Sequence, residues 1–240
     1  RAGGPGGQAA AVEGVVVAAG TWQVAGDGED TRACATAERR VRPPANRGGG
    51  EPALNLPSTT RVLLLVIASI GVLDWLAGGL IARLMVFPGF APTPWVLGWA
   101  FTSAFVHASF AHLALNLFAL AIFGSVLEPR IGGRWVVGLF VAGAIVGPLT
   151  HSVFDPAPVL GASAANGALA GAGLLLAQRH QLGRHGPLMT IFAGIFLLTS
   201  LVGFVAPFGG QIADAAHLGG FVVGVLLATR IRHVRRLPFA

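Results

Sequence analysis

The sequence predicts an all-helical protein that crosses a membrane several times. Of its 240 residues, 54% are hydrophobic and only 11% are charged. An ordinary soluble domain carries about a quarter of its residues as charged side chains, and only four of the acidic residues lie beyond residue 60. Disorder is excluded for the same region, because disordered segments need low hydrophobicity. The single cysteine, Cys34, excludes a disulfide framework and a cysteine-based metal site.

The first 60 residues differ in composition from the rest of the chain. They are rich in Gly, Ala and Pro and sustain no helical or strand period. The short apolar run at 14–19 is too short for the core of a signal peptide. We therefore predict a flexible cytoplasmic tail at 1–60, a membrane domain at 61–233 and a basic cytoplasmic end at 234–240.

Six apolar stretches follow Arg61, each close to the roughly 17 to 25 residues that cross a hydrocarbon core as a helix. Short connectors marked by Pro, Gly and Arg separate them. A buried soluble bundle is the alternative interpretation, and six such stretches in succession disfavour it. The predicted spans are at about 62–85, 101–127, 135–154, 159–178, 187–208 and 212–229.

The arginine positions predict how the helices are oriented. With six spans, fifteen of the 16 arginines fall in the tail, the second and fourth connectors or the C-terminal end, and only Arg83 falls on the other side. Because cytoplasmic loops are enriched in Lys and Arg, both termini are predicted to lie in the cytoplasm. The same asymmetry explains a sequence pI near 11.5 without any binding of nucleic acid.

Strongly polar side chains gather near one end of three predicted spans. Such side chains cost several kcal/mol in hydrocarbon unless they have partners or face a cavity. In the predicted orientation, spans two, four and six all run from outside to inside, so these residues share one layer near the outer surface. They are His107, His112, Asn116, Ser163, Asn166, Asp214 and His217.

Two of these polar residues, Ser163 and His217, are each followed along one helix face by a row of small residues, here called a stripe. Positions three and four apart share a helix face, and small residues on such a face let membrane helices approach closely. If spans four and six pack through these stripes, the Ser163 hydroxyl and the His217 imidazole can meet at ~3 Å. Generic helix packing remains the alternative explanation. The stripes are Gly167, Ala170 and Gly171 after Ser163, and Gly220, Gly224 and Ala228 after His217.

The second span carries imidazoles and an amide but no carboxylate. His112 and Asn116 are four apart and share a face, whereas His107 lies about 140° away and belongs at the helix mouth or in the preceding loop. These donors suit a developing oxyanion and suit a metal poorly, so we predict neither a metal ion nor a cofactor. The remaining histidines are predicted to be structural or solvated: His151, His180, His185 and His233.

Four motifs in this order resemble the rhomboid family of intramembrane serine proteases. Residues 107–116 are similar to its His-x4-His-x3-Asn signature, and 124–132 to the acidic, basic and glycine pattern that follows. Residues 161–164 read Gly-Ala-Ser-Ala, which matches the family's Gly-x-Ser-Gly except at Ala164. Residues 216–224 are similar to the last-span motif that carries the catalytic histidine. The resemblance covers roughly 62–232.

The resemblance implies a six-transmembrane-helix rhomboid-like bundle and a role for each matched residue. Ser163 is implied as the nucleophile and His217 as the general base. His112, Asn116 and the Ser163 backbone N–H are implied as the oxyanion hole, with His107 and Gly161 as accessory residues. The resemblance thus implies a catalytic dyad of Ser163 and His217. From its position alone, Asp214, one turn before His217, either orients the imidazole as a third member or is simply solvated at the helix end.

The implied activity is hydrolysis of peptide bonds in or near the transmembrane segment of single-span membrane proteins. The expected location is a bacterial inner (plasma) membrane, as a multi-pass protein in contact with the lipid bilayer. The main alternative is a catalytically inactive relative that binds membrane clients, which Ala164 favours and the presence of both Ser163 and His217 disfavours. A small transporter or metal channel would need a polar path through the membrane, and the inner halves of spans two, four and six are almost purely apolar.

Overall fold

The computed structural model describes residues 56–89, 93–205 and 213–235, and within them the regular structure is helical apart from one isolated bridge between Phe87 and Val159. Most of the predicted tail, 1–55, lies outside the described residues, as do 236–240 of the predicted basic end. The helices are α1 (Ser58–Leu76), α2 (Leu80–Met85), α3 (Val96–Thr102), α4 (Phe110–Ile131), α5 (Gly133–Phe154), α6 (Ser163–Gln178), α7 (Gly186–Val205) and α8 (Asp214–Ala228), with 3-10 turns at Ser103–Phe105 and Gly183–His185.

Four helical segments among the described residues are long and apolar enough to cross a membrane. They are Ser58–Leu76, Phe110–Ile131, Gly133–Phe154 and Gly183–Val205. The predicted fourth and sixth spans correspond to α6 and α8, which are shorter, at 16 and 15 residues. Most of α6 is buried among the other helices and not in contact with lipid. Its length therefore need not match the thickness of the hydrocarbon core.

The first two predicted spans differ from the structure in their boundaries. The first is interrupted after Leu76, because Gly78 and Gly79 adopt positive φ angles of 64° and 80° and end the helix before α2 begins. In the second, the helix starts only at Phe110, where the Ser109 hydroxyl accepts the His112 N–H at 3.1 Å and caps it. Ser58 also begins α1 inside the region predicted as tail.

The predicted connector Glu128–Arg134 is mostly helical. α4 continues to Ile131, and Gly132 alone separates it from α5. The charged side chains that suggested a loop have partners inside the protein. The Glu128 carboxylate accepts the backbone N–H groups of Thr59 and Thr60 at 2.8 and 2.7 Å, which caps the start of α1.

The end of the bundle that contains Glu128 also holds the C-terminal segment. The buried Arg130 guanidinium donates to the Leu182 carbonyl at 3.1 Å in the connection between α6 and α7. The Arg235 N–H donates to the Arg130 carbonyl at 2.9 Å. The start of α1 and the residues after α8 therefore lie at the same end of the bundle.

α6 lies at the centre of the bundle and packs against α4, α5, α7 and α8. Its contact with α8 is very close at the small residues that the sequence singled out. A Cβ atom added to Gly220 would collide with the Ala164 carbonyl oxygen, and one added to Gly224 with that of Ala168. Since both partners advance by four residues, the two helices run parallel, and the predicted packing of the stripes is confirmed.

Candidate active site

Ser163 is the first residue of α6 and is half-buried. The first N–H groups of a helix have no acceptor within the helix, so the Ser163 amide is suited to bind an oxygen beyond that end. The chain reaches this position through Gly161, whose φ is 111° and whose N–H donates to the Ser103 carbonyl at 2.8 Å. The serine therefore sits directly after a turn anchored on the segment that precedes α4.

His217 lies in the first turn of α8, with its side chain 16% exposed. Its Nδ1 atom is 3.6 Å from Oδ1 of Asp214, the first residue of the helix. The centroid of its ring is 5.5 Å from that of Phe196 on α7. The imidazole thus lies between the Asp214 carboxylate on its own helix and the Phe196 ring on α7.

The contact between α6 and α8 brings the surroundings of Ser163 and His217 together. A Cβ added to Gly167, one turn after Ser163, would lie 2.8 Å from the His217 carbonyl oxygen. A Cβ added to Gly147 on α5 would meet both Ala164 and Ala216, the direct chain neighbours of the serine and the histidine. Both residues are therefore at the same end of two touching helices.

Gly147 on α5 leaves room for the methyl group of Ala164, the residue at which the sequence differs from the motif Gly-x-Ser-Gly. The side chain of Ala164 is buried and packs against Gly147, where any Cβ would collide with its methyl group. The extra methyl group thus occupies space in the contact with α5. It removes no polar group from the neighbourhood of Ser163.

The two histidines before and within α4 lie against the turn that leads to Ser163. A Cβ added to Gly161 would be 2.8 Å from Nε2 of His112. His107 lies in the loop before α4, and its Nε2 atom accepts the Ala162 N–H at 3.3 Å. The two imidazole rings meet edge to face, with centroids 5.0 Å apart. The predicted loop position of His107 is correct.

Asn116 is buried and held by hydrogen bonds on both sides. Its Nδ2 atom donates to the His112 carbonyl at 2.9 Å, and its Oδ1 atom accepts from Asn166 Nδ2 at 3.0 Å. Asn166 also donates to the backbone carbonyl of Asn116. The sequence indicated Asn166 as a polar residue at the right depth but assigned it no role, and only the packing of α6 on α4 reveals its partner.

His151 lies closer to this site than the sequence suggested. It is buried in the last turn of α5, so the solvated alternative is wrong for this residue. It interacts electrostatically with both His217 and Asp214. Nothing in the sequence indicated this, because His151 belongs to none of the helix faces that carry the other polar residues.

Gly161 provides a first test of this geometry. We expect Gly161→Ala to lower the peptidase activity that the resemblance implies by more than tenfold, because the new Cβ would press on the His112 ring at 2.6 Å from Cε1 and strain a positive φ. The matched control is Gly132→Ala, which also places an alanine at a positive φ, here 85°, but where no described residue lies within 4 Å of the new Cβ. Initial rates of substrate cleavage compare the two variants, and equal loss in both would contradict the role of the His112 contact.

The chain belongs to the rhomboid family. The family model described as "Rhomboid domain" matches residues 95–233, which is more than half of the sequence. That range contains the serine, both asparagines and all the histidines described above. Together with its apolar helices, this makes the chain a rhomboid-family membrane protein.

Two curated relatives illustrate the similarity. The chain is 30% identical over 155 residues to RHOMBOID-like protein 12, mitochondrial, of Arabidopsis thaliana, covering 56% of this chain and 46% of the relative. It is 28% identical over 171 residues to rhomboid protease GlpG of Yersinia pseudotuberculosis, covering 70% of this chain and 56% of the relative. The chain thus spans about half the length of the curated relatives it matches.

Proposed function

We propose that this protein is an intramembrane serine endopeptidase in which Ser163 is the nucleophile and His217 is the general base. The observation that carries the proposal is the close packing of α6 on α8, which joins the chain neighbours of these two residues. Family membership supports the proposal, because a relative that is 28% identical over 171 residues is named rhomboid protease GlpG.

The proposed reaction follows from the weak nucleophilicity of a serine hydroxyl. Neutral His217 accepts the hydroxyl proton on Nε2 while the Ser163 oxygen attacks the scissile carbonyl carbon. The imidazolium then gives that proton to the leaving amine, the C–N bond breaks, and an acyl-enzyme ester remains. A water molecule hydrolyses the ester, with His217 again taking and returning one proton.

The proposed oxyanion hole combines a backbone donor with side chains of α4. The Ser163 N–H points out of the start of α6, and the His112 ring lies against Gly161, two residues before the serine. The hydrogen bonds of Asn116 to α4 and α6 fix its amide in place. Donors held in a site of low dielectric stabilise a developing negative charge strongly without having to reorganise.

The proposed substrates are single-span membrane proteins cleaved in or near their transmembrane segments. We further propose that α6 and α8 complete a set of six crossing helices, with both termini in the cytoplasm of a bacterium. The common position of the α1 start and the segment after α8 supports termini on one side, as does the arginine asymmetry. The polar residues at the opposite end would then face outward, where water reaches them.

Labelling with a fluorophosphonate probe tests the proposed serine–histidine pair without any knowledge of the substrate. We expect the purified protein in detergent to react, and Ser163→Ala not to react. Ser152→Ala is the matched control, since its hydroxyl lies near the same end of the bundle but already donates to the Pro148 carbonyl at 3.0 Å. Labelling that survives Ser163→Ala would contradict the proposal.

A further inference from the structure

The carboxyl group of Asp214 fills a space left by a glycine on α7. A Cβ added to Gly203 would collide with Oδ2 of Asp214 and would lie 2.6 Å from its Cγ and 2.8 Å from its Oδ1. On its other side, Oδ1 is 3.6 Å from Nδ1 of His217. The Asp214 side chain is only 10% exposed, so the carboxyl group is enclosed between the α7 backbone and the imidazole.

We infer that Asp214 is a positioning residue for His217, and that the proposed Ser163–His217 pair works as part of a three-residue arrangement. The inference rests on the proposed function, because it assigns a task to the histidine only if the histidine is the base. Asp214 touches neither the substrate nor the reacting atoms, and acts by fixing which imidazole nitrogen carries the proton.

The tautomer of the imidazole decides whether it can act as a base. A carboxylate beside Nδ1 holds the ring proton there, which leaves the lone pair of Nε2 free to accept the Ser163 proton. The same negative charge stabilises the imidazolium that forms during attack. As the first residue of α8, Asp214 is also at the position where the helix dipole stabilises a negative charge.

The distance of 3.6 Å is longer than the roughly 2.7 to 3.2 Å of an N–H···O hydrogen bond. Hydrogen bonds of catalytic groups are often long before the substrate binds and shorten in the complex. The two residues are three apart on one helix, so a small rotation of either side chain closes the gap. Gly203 provides the room on the other side of the carboxyl group.

The other titratable groups around His217 do not provide the same support. His151 on α5 and His112 on α4 interact electrostatically with it, and both are imidazoles rather than carboxylates. α7 contributes the apolar ring of Phe196. Asp155 acts on His151, and its Oδ1 atom accepts the Ala157 N–H at 2.8 Å.

Replacement of the carboxylate by its neutral isostere separates positioning from a structural role. The substitution Asp214→Asn keeps the size of the side chain and one of its oxygens, so folding should persist, but the neutral amide would no longer fix the Nδ1 proton. We expect kcat for a single-span substrate to fall about tenfold or more, with KM and the Tm in detergent close to wild type. The rate of fluorophosphonate labelling should fall by a similar factor. Asp155→Asn is the control, because it neutralises a different carboxylate, directly after the end of α5. It should change neither kcat nor the rate of fluorophosphonate labelling.

Gly203→Ala provides a second route that leaves Asp214 in place. The new Cβ displaces the carboxyl group, so we expect a fall in kcat comparable to that of Asp214→Asn. If both variants act through the same contact, the double variant should be no slower than Asp214→Asn alone. Gly194→Ala on the same helix, where the new Cβ meets none of the described residues within 4 Å, is the matched control and should behave as wild type.

The possible results separate this inference from the proposed function. Wild-type kcat and labelling in Asp214→Asn would overturn the role of Asp214 while leaving the endopeptidase proposal intact. If Asp214→Asn and Gly203→Ala both lowered the Tm as well as kcat, Asp214 would have a structural role. That result would also overturn the inference that Asp214 positions His217. Absence of labelling and cleavage in the unmodified protein would overturn both proposals together.

Discussion

Ser163→Ala, His217→Ala and the double variant are each expected to lower cleavage of a single-span substrate by about a thousandfold or more, and by nearly equal factors. The hydroxyl without the base is a poor nucleophile, and the base without the hydroxyl has no proton to accept. Residues that act as one unit therefore lose their effect together. The measurement is the initial cleavage rate of the unmodified protein and of the three purified variants, each reconstituted with the same substrate.

The non-additivity distinguishes a cooperating pair from two independent contributions. If the double variant were slower than the unmodified protein by the product of the two single effects, Ser163 and His217 would act separately and the proposed mechanism would be wrong. Equal cleavage by the unmodified protein and all three variants would instead reveal a contaminating protease. Ser152→Ala should cleave at the unmodified rate, because that hydroxyl is bonded within α5.

The contact between α6 and α8 could be predicted from the sequence because its cause is local. Gly167, Gly171, Gly220 and Gly224 repeat every four residues, so each pair must lie on one helix face whatever the rest of the chain does. Removal of the side chains from such a face permits close approach of two backbones. The structure places these four glycines at that contact.

Helix boundaries could not be predicted equally well, because hydropathy does not distinguish an apolar helix from an apolar loop. Val106 is fully buried, yet it lies in the connection before α4. Conversely, Glu128 and Arg130 looked like loop residues because they are charged. They remain within α4 because partners from distant parts of the chain, Thr60 and Leu182, satisfy them.

The partners of the polar side chains were equally hidden from the sequence. The Asn116–Asn166 hydrogen bond joins residues 50 positions apart, and the space for Asp214 depends on Gly203 in a different helix. Helical spacing predicts which residues share a face on one helix. It does not predict which face of another helix they meet.

Gly220→Ala is expected to destabilise the protein by about 3 kcal/mol, near the upper end of the usual cost of overpacking. The added methyl group would collide with the Ala164 carbonyl oxygen and lie 2.9 Å from its carbonyl carbon. Because the obstacle is backbone, no side-chain rotation relieves it, and α8 must move away from α6. That movement would also separate His217 from Ser163, so cleavage should fall together with the Tm measured in detergent.

Gly138→Ala on α5 makes the same substitution at a position where no atom of the residues that the structure describes lies within 4 Å of the new Cβ. Since Ala is favoured over Gly in a helix interior by up to about 1 kcal/mol, this control should leave the Tm unchanged or raise it. Opposite signs in the two variants would assign the loss to the α6–α8 contact rather than to the glycine's flexibility. If Gly220→Ala behaved like Gly138→Ala, the two helices would not depend on that close approach, and the juxtaposition on which the serine–histidine pair rests would be wrong.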